Sequence, residues 1–130
     1  MRILLVDDHA AVLQRITGLL APEFDIVGTA TDGQGMISAA EDLDPDLIVA
    51  DIEMPGLNGL EASEVILKSK PSLPIVILTT HGGDLLVRRA LGVGVRGYVY
   101  KLHAGDDLVP AIHSALEGGT FVSPCCVRAS

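Results

Sequence analysis

The stretch that decides the fold is residues 3–8, ILLVDD, in which four apolar residues are followed directly by two carboxylates. Residues 47–51, LIVAD, repeat this pattern with a single carboxylate. Residues 26–30, 75–78 and 97–100 are short runs of the same length, rich in apolar or β-branched residues. Runs of this kind are typical of strands buried on both faces of a parallel sheet. The sequence therefore predicts five short parallel strands.

Segments with helical spacing fill the gaps between and after these runs, at residues 10–20, 33–43, 57–68, 84–91 and 106–117. Five strand-helix units in 130 residues predict one open, doubly wound α/β sheet, because an eight-stranded barrel needs about 250 residues. Right-handed crossovers then place helices on both faces. Pro110 falls inside the last predicted helix, so we expect that helix to begin near Asp107 or Val109, where the first turn tolerates proline.

Composition excludes several classes of protein. The chain carries 9 Lys and Arg against 17 Asp and Glu, a net charge of -8, so it is not expected to bind nucleic acid by itself. Its apolar runs are far shorter than the about 20 residues that cross a bilayer, and the N-terminus lacks the apolar region of an export signal. The adjacent Cys125 and Cys126 offer neither a disulfide framework nor spaced metal ligands, which favours a cytoplasmic, reducing location.

Polar residues follow four of the five predicted strands: Asp7 and Asp8, then Asp51, Thr79 and Lys101. In open α/β sheets this edge forms the ligand crevice. Three carboxylates there raise one another's pKa unless a cation neutralises them, and ligation by oxygen alone favours Mg²⁺ or Mn²⁺. A carboxylate beside such an ion, with a lysine and a hydroxyl nearby, indicates phosphoryl transfer onto an aspartate.

Four motifs carry a family resemblance: residues 4–9 (LLVDDH), 51–59 (DIEMPGLNG), 78–81 (LTTH) and 97–101 (GYVYK). In this order and spacing, they resemble the CheY-like receiver domain of two-component response regulators. The end, residues 117–124 (EGGTFVSP), resembles receivers of the NarL/FixJ/LuxR-type transcription regulators. The resemblance implies a flavodoxin-like (βα)5 domain over residues 1–124, with a parallel sheet in the order 2-1-3-4-5. Residues 125–130 would be a tail or the start of a linker, with no output domain in this chain.

The resemblance also implies a role for each matching residue of the site. Asp51 would accept a phosphoryl group from a sensor histidine kinase or a small acyl phosphate. Asp8, Asp51 and the backbone carbonyl of Glu53 would ligate Mg²⁺ or Mn²⁺, and Asp7 would act mostly through a water. Lys101 would pair with Asp51 and then with the phosphoryl oxygens.

A conformational switch is implied as well. Thr79 would donate its hydroxyl to the attached phosphoryl group, and the rotamer of Tyr98 would follow that movement. Glu53 and His81 match variable positions that tune how long the phosphoryl group survives. Glycines at both ends of residues 82–94 make this segment the candidate for the element that moves.

Three functions stay open on the residues alone. The first is the phosphoacceptor switch, which homodimerises on phosphorylation and reaches DNA only through an output domain outside this chain. The second is a phosphatase or phosphotransferase with Asp51 as nucleophile, although the adjacent Asp7 and Asp8 do not match the spaced pair of haloacid-dehalogenase-type enzymes. The third is an interaction module that is never phosphorylated, against which the complete set of site residues argues.

Leu102 departs from the family pattern, and His9 needs an interpretation of its own. Leu102 stands where many receivers have proline after the lysine, and a cis bond there would cost about 3 kcal/mol, so we expect a differently built turn. His9, alone at the start of a helix, is interpreted as a surface or capping side chain rather than a metal ligand.

Overall fold

Six parallel strands and five α-helices make up the computed structural model, which describes residues 1–80 and 84–123. The strands are β1 (Arg2–Val6), β2 (Asp25–Ala30), β3 (Leu47–Ala50), β4 (Ile75–Thr79), β5 (Gly97–Tyr100) and β6 (Phe121–Val122). The helices are α1 (Ala10–Leu20), α2 (Gly33–Leu43), α3 (Gly59–Ser69), α4 (Asp84–Val93) and α5 (Ala104–Leu116). A 3₁₀ turn, Lys101–His103, joins β5 to α5.

The strand order is β2-β1-β3-β4-β5-β6, so the predicted order 2-1-3-4-5 is confirmed and one strand is added to it. In the added strand, Phe121 and Val122 pair in parallel with Gly97 and Tyr98 of β5. A strand of two residues contains no period from which it could be predicted. Its effect is to cover the edge of β5 and to fix residues 121–123 against the sheet.

The core consists of two apolar layers, one on each face of the sheet. Helices α2, α3 and α4 cover one face, where Met36, Leu60 and Val87 are buried. Helices α1 and α5 cover the other face with Ile16 and Leu108. The predicted arrangement of helices on both faces is confirmed. Among the described residues, no helix is long and apolar enough to cross a membrane.

Helix α3 begins two residues later than the predicted residue 57, because a capping box sets its start. The Asn58 side chain accepts a hydrogen bond from the Glu61 backbone N–H at 2.8 Å. In return, the Glu61 carboxylate accepts one from the Asn58 backbone N–H at 3.0 Å. This reciprocal pair satisfies two donors at the helix terminus and fixes where the loop after β3 ends.

The prediction for Pro110 is wrong. Helix α5 begins at Ala104, so Pro110 lies beyond its first turn. Proline has no N–H to donate to the carbonyl of Asp106 one turn earlier, which weakens the helix at that point. The helix persists because Leu108 and Ala111, on either side of the proline, are fully buried against the sheet.

Candidate functional site

The carboxyl ends of the four central strands bring the predicted polar residues to one edge of the sheet. Asp7 directly follows β1, and Asp51 directly follows β3. Thr79 is the last residue of β4, which lies between β3 and β5. Lys101 is the first residue after β5 and begins the 3₁₀ turn. Parallel pairing alone therefore gathers these side chains from distant parts of the sequence.

The centre of the site is the ammonium group of Lys101. Its Nζ atom lies 2.8 Å from Oδ2 of Asp7 and donates a hydrogen bond to Oδ2 of Asp51 at 3.1 Å. Asp7, Lys101 and Asp51 are buried, with exposed fractions of 3%, 9% and 4%, respectively. We call them the carboxylate pocket. It contains two buried carboxylates for one buried ammonium.

Burial and the neighbouring charges shift the pKa values of Asp51 and Lys101. Burial raises the pKa of the Asp51 carboxyl above its usual range, and the nearby Lys101 offsets only part of that effect. Burial by itself would lower the pKa of Lys101, but the carboxylates of Asp7 and Asp51 outweigh it and raise the pKa. Both groups therefore hold protons more tightly than in water, as expected of a site that lacks positive charge.

Asp8 and His9 form the solvent side of the same site. The backbone N–H of His9 donates to Oδ1 of Asp7 at 2.9 Å, which fixes that carboxylate. The ring nitrogen Nδ1 of His9 lies 3.2 Å from Oδ1 of Asp7 and 2.9 Å from Oδ1 of Asp8. The side chains of His9 and Asp8 are 65% and 28% exposed, so this part of the site is open to water.

The position of Asp51 depends on close packing in the loop that follows it. The Asp51 backbone N–H donates to the carbonyl of Val6 at 2.9 Å, and the Gly59 N–H donates to the carbonyl of Ile52 at 2.9 Å. A Cβ atom on Gly59 would lie 1.9 Å from the Asp51 carbonyl oxygen. Gly56 has a φ of +73°, a conformation that glycine adopts without strain. Glycine at these two positions lets the chain turn back so tightly behind Asp51.

The turn at Lys101 is built without a cis bond, since none occurs among the described residues. Residues 101–103 instead form a 3₁₀ turn in which Leu102 is 73% exposed. The guanidinium of Arg15, on α1, donates to the Lys101 carbonyl at 3.4 Å. Lys101 therefore reaches Asp7 and Asp51 with leucine in place of the proline found in many receivers.

The remaining predicted residues lie around this pocket. Thr79 and Tyr98 are fully buried on neighbouring strands, and Tyr98 belongs to the apolar layer under α2, α3 and α4. Glu53 is exposed in the loop after Asp51. His81 lies outside the described residues, as do Gly82 and Gly83 of the predicted switch segment. Their contributions stay predictions.

The residues present fit a divalent cation. Asp7, Asp8, His9 and Asp51 each offer a ligand atom, and these atoms lie within 4.8 Å of one another. Oδ2 of Asp7 is buried and accepts no well-directed hydrogen bond from the described residues, although the Lys101 ammonium lies 2.8 Å from it. A buried carboxylate in this state gains from added positive charge. The oxygen-rich donor set is one that Mg²⁺ or Mn²⁺ prefers.

Sequence reasoning missed the environment of His9. This residue does occupy the N-cap position of α1, but its side chain makes no capping hydrogen bond and faces the two carboxylates instead. The signal available was its place directly after Asp8, in the turn that brings both carboxylates to the edge of the sheet. A single histidine at a helix start is too common a feature to make that signal decisive.

Comparison with known proteins identifies the family of the chain. Residues 3–113 match the family described as response regulator receiver domain. The chain is 31% identical over 126 residues to the transcriptional regulatory protein DegU of Brevibacillus brevis, covering 95% of this chain and 53% of that protein. It is 38% identical over 123 residues to the nitrate/nitrite response regulator protein NarL of Escherichia coli strain K12, covering 93% and 57%.

Among solved structures, a LuxR-family two-component response regulator from Aurantimonas sp. SI85-9A1 superposes with a TM-score of 0.93 at 32% identity. That match covers 98% of this chain and 92% of the other. The chain spans about half the length of the curated relatives it matches. The chain belongs to the response regulator receiver domain family, and it is a receiver of the NarL/LuxR type.

Proposed function

We propose that this receiver accepts a phosphoryl group on Asp51 from the phosphohistidine of a sensor histidine kinase. The observation that carries the proposal is the carboxylate pocket, in which the buried Lys101 ammonium lies within 3.1 Å of both Asp7 and Asp51. A buried carboxylate at the carboxyl edge of the sheet, held beside one cation, is placed to act as a nucleophile.

The reaction moves a phosphoryl group from an imidazole nitrogen of the kinase to a carboxylate oxygen of Asp51. An Oδ atom of Asp51 forms a bond to phosphorus while the bond from phosphorus to the donor imidazole breaks, and the imidazole nitrogen keeps the electron pair. Lys101 then pairs with a phosphoryl oxygen, and the Thr79 hydroxyl donates a hydrogen bond to another. A small acyl phosphate would serve as donor in the same way. In slow autodephosphorylation, water attacks phosphorus, the bond from phosphorus to the Asp51 oxygen breaks, and inorganic phosphate leaves while Asp51 returns to its carboxylate.

Mg²⁺ or Mn²⁺ would be held by Asp8, Asp51 and the backbone carbonyl of Glu53, with Asp7 acting mostly through a water. When bound, the ion would neutralise carboxylate charge and stabilise the negative charge on the phosphoryl oxygens. Without the ion, Lys101 is the one lysine or arginine among the described residues shown paired with Asp7 and Asp51. The carboxylate pocket is buried and holds two carboxylates for one ammonium, which supports a dependence on a divalent ion.

Phosphorylation would switch the conformation of the domain. The acyl phosphate adds negative charge and acceptor oxygens at Asp51, so new bonds from Thr79 and Lys101 change the balance between two arrangements of the nearby elements. Tyr98 would follow Thr79, and α4 would move, aided by Gly94 with its φ of +112°. Glu53 and His81 would tune the lifetime of the phosphoryl group.

The output would be control of transcription in the cytoplasm. DegU is named a transcriptional regulatory protein, and a RcsB structure is described as two dimers bound to two parallel DNAs. For this chain we propose residues 1–124 as the receiver, homodimerisation on phosphorylation, and contact with DNA only through a LuxR-type output domain. The chain's own net charge of -8 favours that division of roles.

Intact mass spectrometry tests the proposal. Wild type incubated with acetyl phosphate and Mg²⁺ should gain the mass of one phosphoryl group, and chelation of the metal or Asp51→Asn should abolish the gain. An adduct that survives Asp51→Asn would remove Asp51 from its role. Multiple turnovers of phosphate release with only a fleeting adduct would favour a phosphatase or phosphotransferase instead. No adduct under any of these conditions would favour an interaction module.

A further inference from the structure

His9 is the one nitrogen donor among the described residues that share the acidic cluster. Its Nδ1 atom is shared between two carboxylate oxygens, at 2.9 Å from Asp8 and 3.2 Å from Asp7. The backbone N–H of His9 already donates to Oδ1 of Asp7 at 2.9 Å. The ring therefore is not needed to hold Asp7 in place, and its position beside both carboxylates calls for another explanation.

The spacing of these atoms matches that of metal ligands. In an octahedral site with bonds of about 2.1 Å, neighbouring ligand atoms lie about 3.0 Å apart, which is the length of one edge of the octahedron. The distances from Nδ1 to the two carboxylate oxygens, 2.9 Å and 3.2 Å, bracket that value. The separation of Nδ1 from Oδ1 of Asp8 thus suits two neighbouring ligands of one ion.

We propose that His9 supplies Nδ1 as a direct ligand of the divalent ion and makes the site selective for first-row transition ions such as Co²⁺ over Mg²⁺. This inference rests on the proposed metal site of the receiver. Imidazole binds Co²⁺, Ni²⁺ and Zn²⁺ much better than it binds Mg²⁺, whereas carboxylate and carbonyl oxygens serve both classes of ion. A nitrogen ligand therefore adds affinity for one class only.

In the metal-free site Nδ1 faces two carboxylate oxygens, which only accept hydrogen bonds, so the Nδ1–H tautomer suits these contacts and ligation requires a change to the Nε2–H tautomer. Metal binding through Nδ1 needs its lone pair, so the proton of the neutral ring must lie on Nε2. The His9 side chain is 65% exposed, and water can accept the hydrogen bond from Nε2. The N-cap position of α1 does not depend on the ring either, because the side chain makes no capping bond.

Metal titrations of His9→Asn and His9→Ala test the proposal on untagged protein. The asparagine amide can donate hydrogen bonds to the same carboxylates but lacks the imidazole lone pair. We expect both variants to lose roughly tenfold in Co²⁺ affinity, with Mg²⁺ affinity changed by about twofold or less. Affinities follow from displacement of Mn²⁺, read from the electron paramagnetic resonance signal of the free ion. His113→Ala, on α5, removes a histidine paired with Glu23 and is the matched control.

Proton NMR of the Co²⁺ complex gives a second readout. A histidine bound to Co²⁺ through one nitrogen carries its remaining N–H proton into the paramagnetically shifted region, where exchange with D₂O removes the signal. We expect one such signal in wild type and in His113→Ala, and none in His9→Asn or His9→Ala.

The outcomes separate this inference from the proposed function. If Mg²⁺ binds and Asp51 is phosphorylated, but His9→Asn leaves the Co²⁺ to Mg²⁺ preference and the shifted N–H signal unchanged, direct ligation by His9 is wrong and the receiver function stands. A hydrogen-bonding role alone would give that result. If neither ion binds to wild type, both proposals fail.

Discussion

Two polar clusters, one containing Lys101 and the other the adjacent Tyr100, differ in how completely their polar groups are satisfied. The first is the carboxylate pocket around Lys101. The second, which we call the Ser123 cluster, starts from Tyr100: the Ser123 hydroxyl accepts a hydrogen bond from the Tyr100 N–H at 3.1 Å and donates one to Oδ2 of Asp107 at 2.8 Å. The Ser123 N–H also donates to the Tyr98 carbonyl at 2.8 Å.

The two clusters differ in whether their polar groups are satisfied by partners within the protein. In the Ser123 cluster each donor meets an acceptor, and the single carboxylate lies in the first turn of α5, where the helix dipole favours negative charge. In the carboxylate pocket two carboxylates share one ammonium, and Oδ2 of Asp7 accepts no well-directed hydrogen bond from the described part of the chain. A satisfied cluster fixes a position, whereas an unsatisfied one gains from a ligand.

The largest expected effect comes from breaking the pocket through its backbone. Gly59→Ala would place a Cβ 1.9 Å from the Asp51 carbonyl oxygen, so the loop or α3 must shift. We expect a loss of about 3 kcal/mol in the free energy of unfolding, measured by urea denaturation followed by circular dichroism. The phosphoryl adduct on Asp51 should be lost as well.

The matched control for that change is Gly18→Ala on α1, where an added Cβ meets nothing within 4 Å. A glycine-to-alanine change inside a helix should stabilise the protein by up to about 1 kcal/mol. Equal stability of the Gly59→Ala variant and wild type would mean that the close approach behind Asp51 is not required.

The second largest effect is expected from a substitution in the Ser123 cluster. Ser123→Ala removes the acceptor of the Tyr100 N–H and the donor to Asp107, and Ser123 is fully buried. We expect a loss of about 2 kcal/mol in the free energy of unfolding by the same measurement. Phosphorylation of Asp51 should be retained, because the pocket itself is untouched.

Ser69→Ala provides the control, because the Ser69 hydroxyl donates only to the Ile66 carbonyl at 3.2 Å on an exposed residue. A loss no larger for Ser123→Ala than for Ser69→Ala would contradict a structural role for β6 and the Ser123 cluster.

The same substitution, aspartate to asparagine, should change the free energy of unfolding in opposite directions in the two clusters. Asp51 has a raised pKa in the folded protein, so folding works against its ionised form at neutral pH. Asp51→Asn leaves one carboxylate facing one ammonium, and we expect it to stabilise the metal-free protein by about 1 kcal/mol. Asp107→Asn weakens a satisfied contact at a helix N-terminus and should destabilise by about 0.5 kcal/mol.

Denaturation at neutral pH, with and without Mg²⁺, checks this pair of variants. Added Mg²⁺ should stabilise wild type and Asp107→Asn by binding to the folded state, and should have little effect on Asp51→Asn. If both variants were stabilised, or both destabilised, relative to wild type, the proposed difference between a satisfied and an unsatisfied cluster would be wrong.

The sequence predicts the sheet well because its central strands are buried on both faces. Residues 47–50 are apolar without a break and form β3 with those bounds, and 97–100 form β5 in the same way. Asp7, Asp51 and Lys101 meet because each directly follows a strand, which topology alone ensures. Parts of the site set by neighbours rather than by strand ends could not be predicted in this way.

Three details illustrate that limit. The contact of His9 with two carboxylates depends on how the turn after β1 closes, which a single histidine does not reveal. The bond from Arg15 to the Lys101 carbonyl joins residues far apart in the sequence, without any motif. Pro110 stays inside α5 because tertiary burial outweighs the local cost of proline. In each case packing between elements decides the structure.

The smallest expected effect concerns an ion pair on the surface, away from both clusters. Asp44 ends α2 with a φ of 47°, and its Oδ1 lies 2.8 Å from Nζ of Lys70, which lowers its pKa. A lowered pKa stabilises the fold above the usual carboxyl pKa, and this stabilisation is lost as the pH falls through the folded value. Asp44→Asn should therefore be slightly less stable than wild type at neutral pH and equal to it at about pH 2. Asparagine tolerates the same φ, so a difference that persists in acid, or that also appears in the neighbouring exposed Asp42→Asn, would show that the ion pair with Lys70 is not its source.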